Sequence, residues 1–240
     1  ERLKQQGKRA LLWDYTNGYF TWPLLAAQGG YAFKVRSDGG VDASDTGVNN
    51  AGALAGARWL DRLIREGRMP VGSGYAEMEA AMAQGQVAMM INGPWSWVNL
   101  QKVKMDFGVA RIPAVGGHAA APMVGIKGLL INRATRQREL AIELIEHYLL
   151  SPAGLRAINR AEPIGAPASK SFLTELSAHP QVGSKINGIM ASARDGQPTP
   201  SNPEMGRFWA SMKTALTHIS EGRQTPQQAL DAAARRILKP

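Results

Sequence analysis

Strand-length apolar runs alternate with amphipathic stretches as far as Ile131, and from Arg138 onward the pattern is almost wholly helical. Strands interleaved with helices, followed by a helical tail, call for an α/β fold in which helices cover a mainly parallel or mixed sheet. The spacing predicts strands over Lys8–Asp14, Val87–Ile91 (buried), Phe107–Ala110 and Val124–Ile131. A hairpin is expected to pair Ala32–Val35 with Gly40-Val41 across Ser37-Asp38-Gly39. Helices are expected from near Phe20, over Asn50–Glu66 and Tyr75–Gln84, and through Trp95 and Trp97 after Gly93-Pro94. In the tail they are expected over Glu139–Leu149, Pro152–Asn159, Ser171–Ala178, Gln181–Arg194, Pro203–Ser220 and Pro226–Leu238. Asn50–Glu66 repeats Ala53, Ala57, Leu60 and Ile64 at helical spacing beside Gly56, so its inner face is small, and Gly67 can close it. Thr225 and Gln228 are spaced as a capping box around Pro226. Two breaks, Pro122–Gly125 and Glu162–Pro167, read as hinges or linkers.

The 240 residues suit one large domain or two small ones. No apolar stretch approaches the roughly 18 residues that a membrane-spanning helix needs. The absence of cysteine excludes a disulfide scaffold, a thiolate zinc site, an iron-sulfur cluster and a cysteine nucleophile. Glu1–Gly7 reads as the last turns of a helix closed by Gly7, with no initiating Met and no signal segment before it, so a fragment or processed chain is expected.

Aromatic density is the strongest local feature. Trp13, Tyr15, Tyr19, Phe20 and Trp22 crowd one loop region, Trp95 and Trp97 follow Gly93-Pro94, and Phe208-Trp209 lie inside a predicted helix. Single rings are mostly core residues, but a cluster on a strand-to-helix loop falls where α/β folds bind ligands. A flat apolar face edged by Tyr15, Thr16, Asn17, Thr21 and Asn92 suits a pyranose ring, whose carbon-bound hydrogens form apolar faces and whose rim is all hydroxyls. The net charge of +9, from 28 Lys+Arg against 19 Asp+Glu, raises nucleic acid as a rival. The basic residues are scattered, however, and neither Arg133, Arg136, Arg138 nor Arg235, Arg236, Lys239 is interleaved with stacking aromatics, so they read as solvated helix faces and no nucleic-acid partner is expected. His118, His147, His179 and His218 are too dispersed to suggest a metal site. A glycoside hydrolase would need two carboxylates facing across the sugar bond, and Asp14 with Glu204 is the pair closest to the aromatic segments.

Long motifs then carry a resemblance. The run from Tyr19 through Trp22-Pro23 and Gln28-Gly29-Gly30-Tyr31 to Lys34 is similar to the corresponding stretch of bacterial maltose/maltodextrin-binding proteins, as are Ile91–Trp97, Phe208-Trp209 and Gly222-Arg223-Gln224-Thr225. The resemblance runs in order over nearly the whole chain. It implies the extracytoplasmic solute-binding component of an ABC-type sugar importer, with the two-lobe type II periplasmic binding protein fold, and it implies that the opening third of such a protein is absent here. By this comparison residues 1–124 form the first part of the C-terminal lobe, 125–171 belong to the N-terminal lobe, and 172–240 supply the last helices of the C-terminal lobe. Tyr19, Trp95 and Trp209 match the family's ring-stacking residues and Phe20 a neighbour in the same groove. Asn17-Gly18 stands in place of Glu-Pro, Ala210 in place of Tyr, Lys213 in place of Arg and Thr199 in place of Met, so the stacking mode is retained while a charged acceptor and one platform are lost. The expected ligand contacts are therefore Tyr15, Asn17, Tyr19, Phe20, Trp95, Trp209 and Lys213. The implied partners are an oligosaccharide (maltose, maltodextrin or trehalose), the membrane subunits of an ABC importer, and a separate N-terminal segment. The implied location is the periplasm, with no catalysis, cofactor or metal; a glycoside hydrolase fragment acting on glucose oligosaccharides is the alternative.

Overall fold

The structure, a computed structural model, describes residues 2–239. In chain order the first elements are α1 (Arg2–Gln5), β1 (Arg9–Leu12), α2 (Gly18–Ala26), β2 (Lys34–Val35), β3 (Val41–Asp42), α3 (Ala51–Arg65), α4 (Tyr75–Ala83) and β4 (Val87–Met90). A 3-10 turn (Pro94–Ser96) leads into α5 (Trp97–Lys102), followed by β5 (Met123–Val124), α6 (Arg138–Glu143) and a π-helical segment (Leu144–Leu149). The chain ends with α7 (Pro152–Ala161), α8 (Lys170–Ala178), α9 (Gly183–Asp195), β6 (Gln197–Pro198), α10 (Met205–Ser220) and α11 (Pro226–Ile237).

These elements form two compact units. One holds the residues up to Asn92, Ile112–Val124 and those from Ser192 on; the other holds Gly93–Arg111 and Gly125–Ala191. The segments 93–111 and 172–191 group with 125–171. The reason is apolar: Trp97 of α5 is buried with Phe172 and Leu176 of α8 and Ile186 of α9 in one small core.

In the first unit β1 and β4 run parallel, with Leu11 opposite Met89. The β2–β3 pair is antiparallel, turning through Gly39, whose φ of +80° a side chain would resist. β5 and β6 form a second parallel pair. The sheet expected from the sequence is thus divided among three two-stranded ladders. Phe107–Ala110 and the residues after Val124 form no strand, since among the described residues no neighbour pairs with them, and Ile126 and Leu130 are exposed. β4 is less buried than its apolar sequence suggests, with Ala88 and Met89 open on the surface.

Helices supply most of the burial. α3 begins with Asn50 Oδ1 accepting the Ala53 N–H at 2.9 Å and closes before Gly67. Its small face is required: a side chain at Gly52 would strike the Gln28 carbonyl, and one at Gly56 the Leu24 carbonyl. Ala53, Ala57 and Leu60 of α3 are buried in the main core with Leu24 and Leu25 of α2, and with Phe208, Met212 and Leu216 of α10. α11 packs its own apolar stripe, Ala229, Leu230, Ala233 and Ile237, into the same core. Burying such a stripe contributes roughly 1.5–3 kcal/mol per large side chain. The capping box holds: Thr225 Oγ1 accepts from the Gln228 N–H at 3.3 Å, while Gln228 Oε1 accepts from the Thr225 N–H at 3.1 Å.

In the second unit the helix expected over Glu139–Leu149 is split, α6 giving way to π-helical turns at Leu144. No residue of either segment is buried. Lys185 caps the ring of Phe107 at 3.8 Å from its centroid.

Candidate functional site

The first unit carries a cavity of about 570 Å³, a size suited to a small ligand. The loop from the carboxyl end of β1 into α2 lines it with Asp14, Thr16, Asn17, Gly18 and Tyr19; α10 adds Trp209 and Lys213, and Gly74, which caps α4, completes the wall. This is the edge beyond the carboxyl end of a parallel strand, where α/β folds place ligands.

Each wall residue is held by a local device. Asn17 caps α2, its Oδ1 accepting the Tyr19 N–H at 3.0 Å. A side chain at Gly18 would lie 3.2 Å from Met212 Cβ and 3.7 Å from the Trp209 ring, so the glycine lets α2 approach α10 closely. Trp209 and Lys213 lie one turn apart on one face of α10. The indole is braced from behind: Phe208 stands edge-on to it at 4.8 Å between centroids, and Trp22 stands edge-on to Phe208 at 5.1 Å. Tyr19 meets Phe20 edge-on at 5.4 Å, and burial pushes its hydroxyl pKa up, keeping it a neutral donor and acceptor. The cavity therefore presents braced ring edges and faces, one amide, two hydroxyls, one carboxylate and one ammonium.

Such a combination can stack on and hydrogen-bond a neutral polyol. The family described as bacterial extracellular solute-binding protein matches residues 2–185. The chain belongs to that family.

The chain is 28% identical over 221 residues to a galactooligosaccharide-binding protein of Bacillus subtilis (strain 168), a match covering 90% of the chain and 52% of the relative. It is 27% identical over 238 residues to a maltodextrin-binding protein of the same organism, covering 95% of the chain and 55% of the relative. A maltooligosaccharide ABC transporter solute-binding lipoprotein of Streptococcus pneumoniae (strain ATCC BAA-255 / R6) matches at 25% over 230 residues, covering 93% of the chain and 52% of the relative. The chain spans about half the length of these curated relatives.

The structure brings together four of the seven residues expected to contact ligand: Asn17, Tyr19, Trp209 and Lys213. Two others lie in the core. Tyr15 is 0% exposed, and its hydroxyl accepts the Ser73 N–H at 2.9 Å, so it is a core residue that pins the loop before α4; desolvation pushes its pKa up. Phe20 is also buried, tilted against Tyr75 at 5.8 Å, behind the wall. Trp95 belongs to the second unit, where it stands on the 3-10 turn and is 36% exposed. Thr21, expected on the polar rim, is wholly buried between the Trp13 Nε1–H, which it accepts, and the Tyr15 carbonyl, to which it donates. A loop has no period for the sequence to show, so the inward and outward residues of 13–17 and of the first turn of α2 are not separable from sequence.

The pair of acids considered for hydrolysis is not assembled on this wall. Asp14 lines the cavity, but Glu204 does not; its Oε2 accepts from Asn202 Nδ2 at 2.8 Å, which holds the carboxyl below its usual range. Among the described residues no group of three or more His, Asp or Glu side chains could hold a metal ion. None of the described helices is long and apolar enough to cross a membrane. Thr16, expected on the polar rim, lines the cavity, and Asp14 and Gly74 join it without having been expected as ligand contacts; the place of Asp14 at the end of the strand pattern was the available signal.

Proposed function

We propose that this chain supplies the aromatic wall of an oligosaccharide site in the solute-binding component of an ABC-type importer, binding maltose, maltodextrin or a related glucoside such as trehalose without chemical change. The observation that carries this reading is the Trp209 indole, braced by Phe208 and Trp22 and set beside Tyr19, Asn17 and Lys213 on one cavity. Rings stack on the apolar faces of a pyranose while the polar groups take its hydroxyls. The names of the relatives support the ligand class and, for one, the transporter. A periplasmic location and the importer's membrane subunits as partners follow from the same reading.

A separate N-terminal portion of the protein belongs to this proposal. Leu140, Leu144 and Tyr148 are each more than half exposed, and the strand-patterned residues around Ile126 and Leu130 lie unpaired beside them in sequence. Apolar surface of this kind is covered in finished folds, and the relatives are about twice as long as the match. The segment 125–171 then forms part of the N-terminal lobe, with the cavity wall in the C-terminal lobe.

The test is a titration with maltose, maltotriose, trehalose and cellobiose, read by melting temperature and saturation-transfer NMR, because a ligand that binds only the native state raises its stability. Trp209→Ala is expected to weaken the bound sugar roughly 5- to 150-fold, the equivalent of about 1–3 kcal/mol of lost stacking. Release of reducing ends during incubation, or oligonucleotide binding that survives moderate salt, would overturn it.

A further inference from the structure

We propose that Asp14 is the charged acceptor of the carbohydrate site, taking ring hydroxyls of the sugar that stacks on Trp209; the inference rests on the oligosaccharide reading above. Two observations meet here. The first is that Asn17, at the position where the resemblance leads one to expect a carboxylate, spends its Oδ1 on capping α2, accepting the Tyr19 N–H at 3.0 Å. What Asn17 turns outward is chiefly its NH₂ group, a donor. The second is that the cavity nevertheless has a carboxylate. Asp14 is only 8% exposed, yet it lines the same wall as Asn17, Trp209 and Lys213.

The hydrogen bonding of Asp14 is incomplete in a way that points to a ligand rich in O–H groups. An ionised carboxylate offers about four acceptor sites. Oδ1 accepts the Thr16 Oγ1–H at 3.0 Å. Among the described residues no ion pair reaches Asp14. Neither Asp14 oxygen is among the buried polar atoms left without a partner, so its remaining lone pairs stay open at the cavity wall. Sugar hydroxyls are donors of the right kind, and a charge-assisted O–H···O⁻ bond is about twice as strong as a neutral one. Lys213, one turn beyond Trp209, offers donors from α10 to hydroxyl oxygens of the same ring. The site thereby reads a neutral, hydroxyl-dense ligand with one charge of each sign, and the acceptor has moved from the helix cap at Asn17 to the strand end at Asp14.

The experiment compares Asp14→Asn with the unaltered 240-residue chain and with Trp209→Ala, using maltose, galactobiose and a series of their monodeoxy analogues as probes and saturation-transfer NMR for the dissociation constants. Asp14→Asn is expected to weaken the parent disaccharide roughly 10- to 100-fold. It is also expected to abolish discrimination against the one or two deoxy analogues that lack the accepted hydroxyl, because the two deletions remove the same bond and are not additive. A merely structural role for Asp14 weakens every analogue alike. Asp14→Ser carries the same expectation and serves if the amide variant does not fold. Affinity and deoxy profile unchanged in Asp14→Asn, or a uniform loss across the series, overturns the proposal while a loss in Trp209→Ala keeps the carbohydrate reading. Failure of the unaltered chain to bind any of the probes removes both.

Discussion

The side-chain amide of Asn49 donates to Asp231 Oδ1 at 2.8 Å, joining residues 182 positions apart. It fastens the entry of α3 to α11, and Gln227 Nε2 holds both oxygens of the same carboxylate at 3.0 Å. Those amide donors, Asn49 first, keep the Asp231 carboxyl below its ordinary range. A carboxyl whose pKa is depressed on folding stabilises the native state above its unfolded value and loses that contribution as pH falls through the folded value. Asp231→Ala is therefore expected to lower stability by about 1 kcal/mol at neutral pH, with the difference from the unaltered chain shrinking below about pH 4. Urea melts at pH 7 and pH 3 check this; a difference that grows on acidification contradicts it.

Tyr15→Phe separates a core residue from a ligand contact. Its hydroxyl accepts the buried Ser73 N–H, so deletion leaves that donor unpaired and is expected to cost about 1–3 kcal/mol of stability. Sugar affinity is expected to stay within roughly two-fold, measured under conditions where both chains are folded. A variant of full stability with lost sugar binding would return Tyr15 to the cavity wall.

The exposed face of α6 and the π-helical segment carries the third expectation. With Leu140, Leu144 and Tyr148 open to water, the isolated 240 residues are expected to self-associate, because contiguous apolar surface and unpaired strand backbone recruit partners. The double variant Leu140→Glu, Leu144→Glu is expected to shift the chain toward monomer in sedimentation velocity while changing stability by no more than about 0.5 kcal/mol. Unfolding of that variant would mean that the face is packed inside a single chain.

The α/β class, the positions of the helices and the capping signals were legible in the sequence because they depend on local periodicity and on single residues. Asn50, Gly67 and the Thr225–Gln228 box mark helix ends whatever the rest of the chain does. Tyr19 and Trp209, singled out from the Tyr19–Lys34 run and the Phe208-Trp209 pair, line the same cavity. What sequence periodicity could not decide was direction in the loop after β1 and the start of α2: Tyr15 and Thr21 turn into the core, and Asp14 and Thr16 line the cavity. It could not decide pairing either, so residues 125–131 carry a strand's pattern without a strand's partner. Nor could it show that Asn17 has its carbonyl committed to a helix cap, which passes the acceptor role to a carboxylate three residues earlier. Caps and amphipathic stripes are set by residues within a turn or two of one another, whereas burial, pairing and hydrogen-bond commitment are set by atoms that only the folded chain brings within 3–4 Å, and those decided the site.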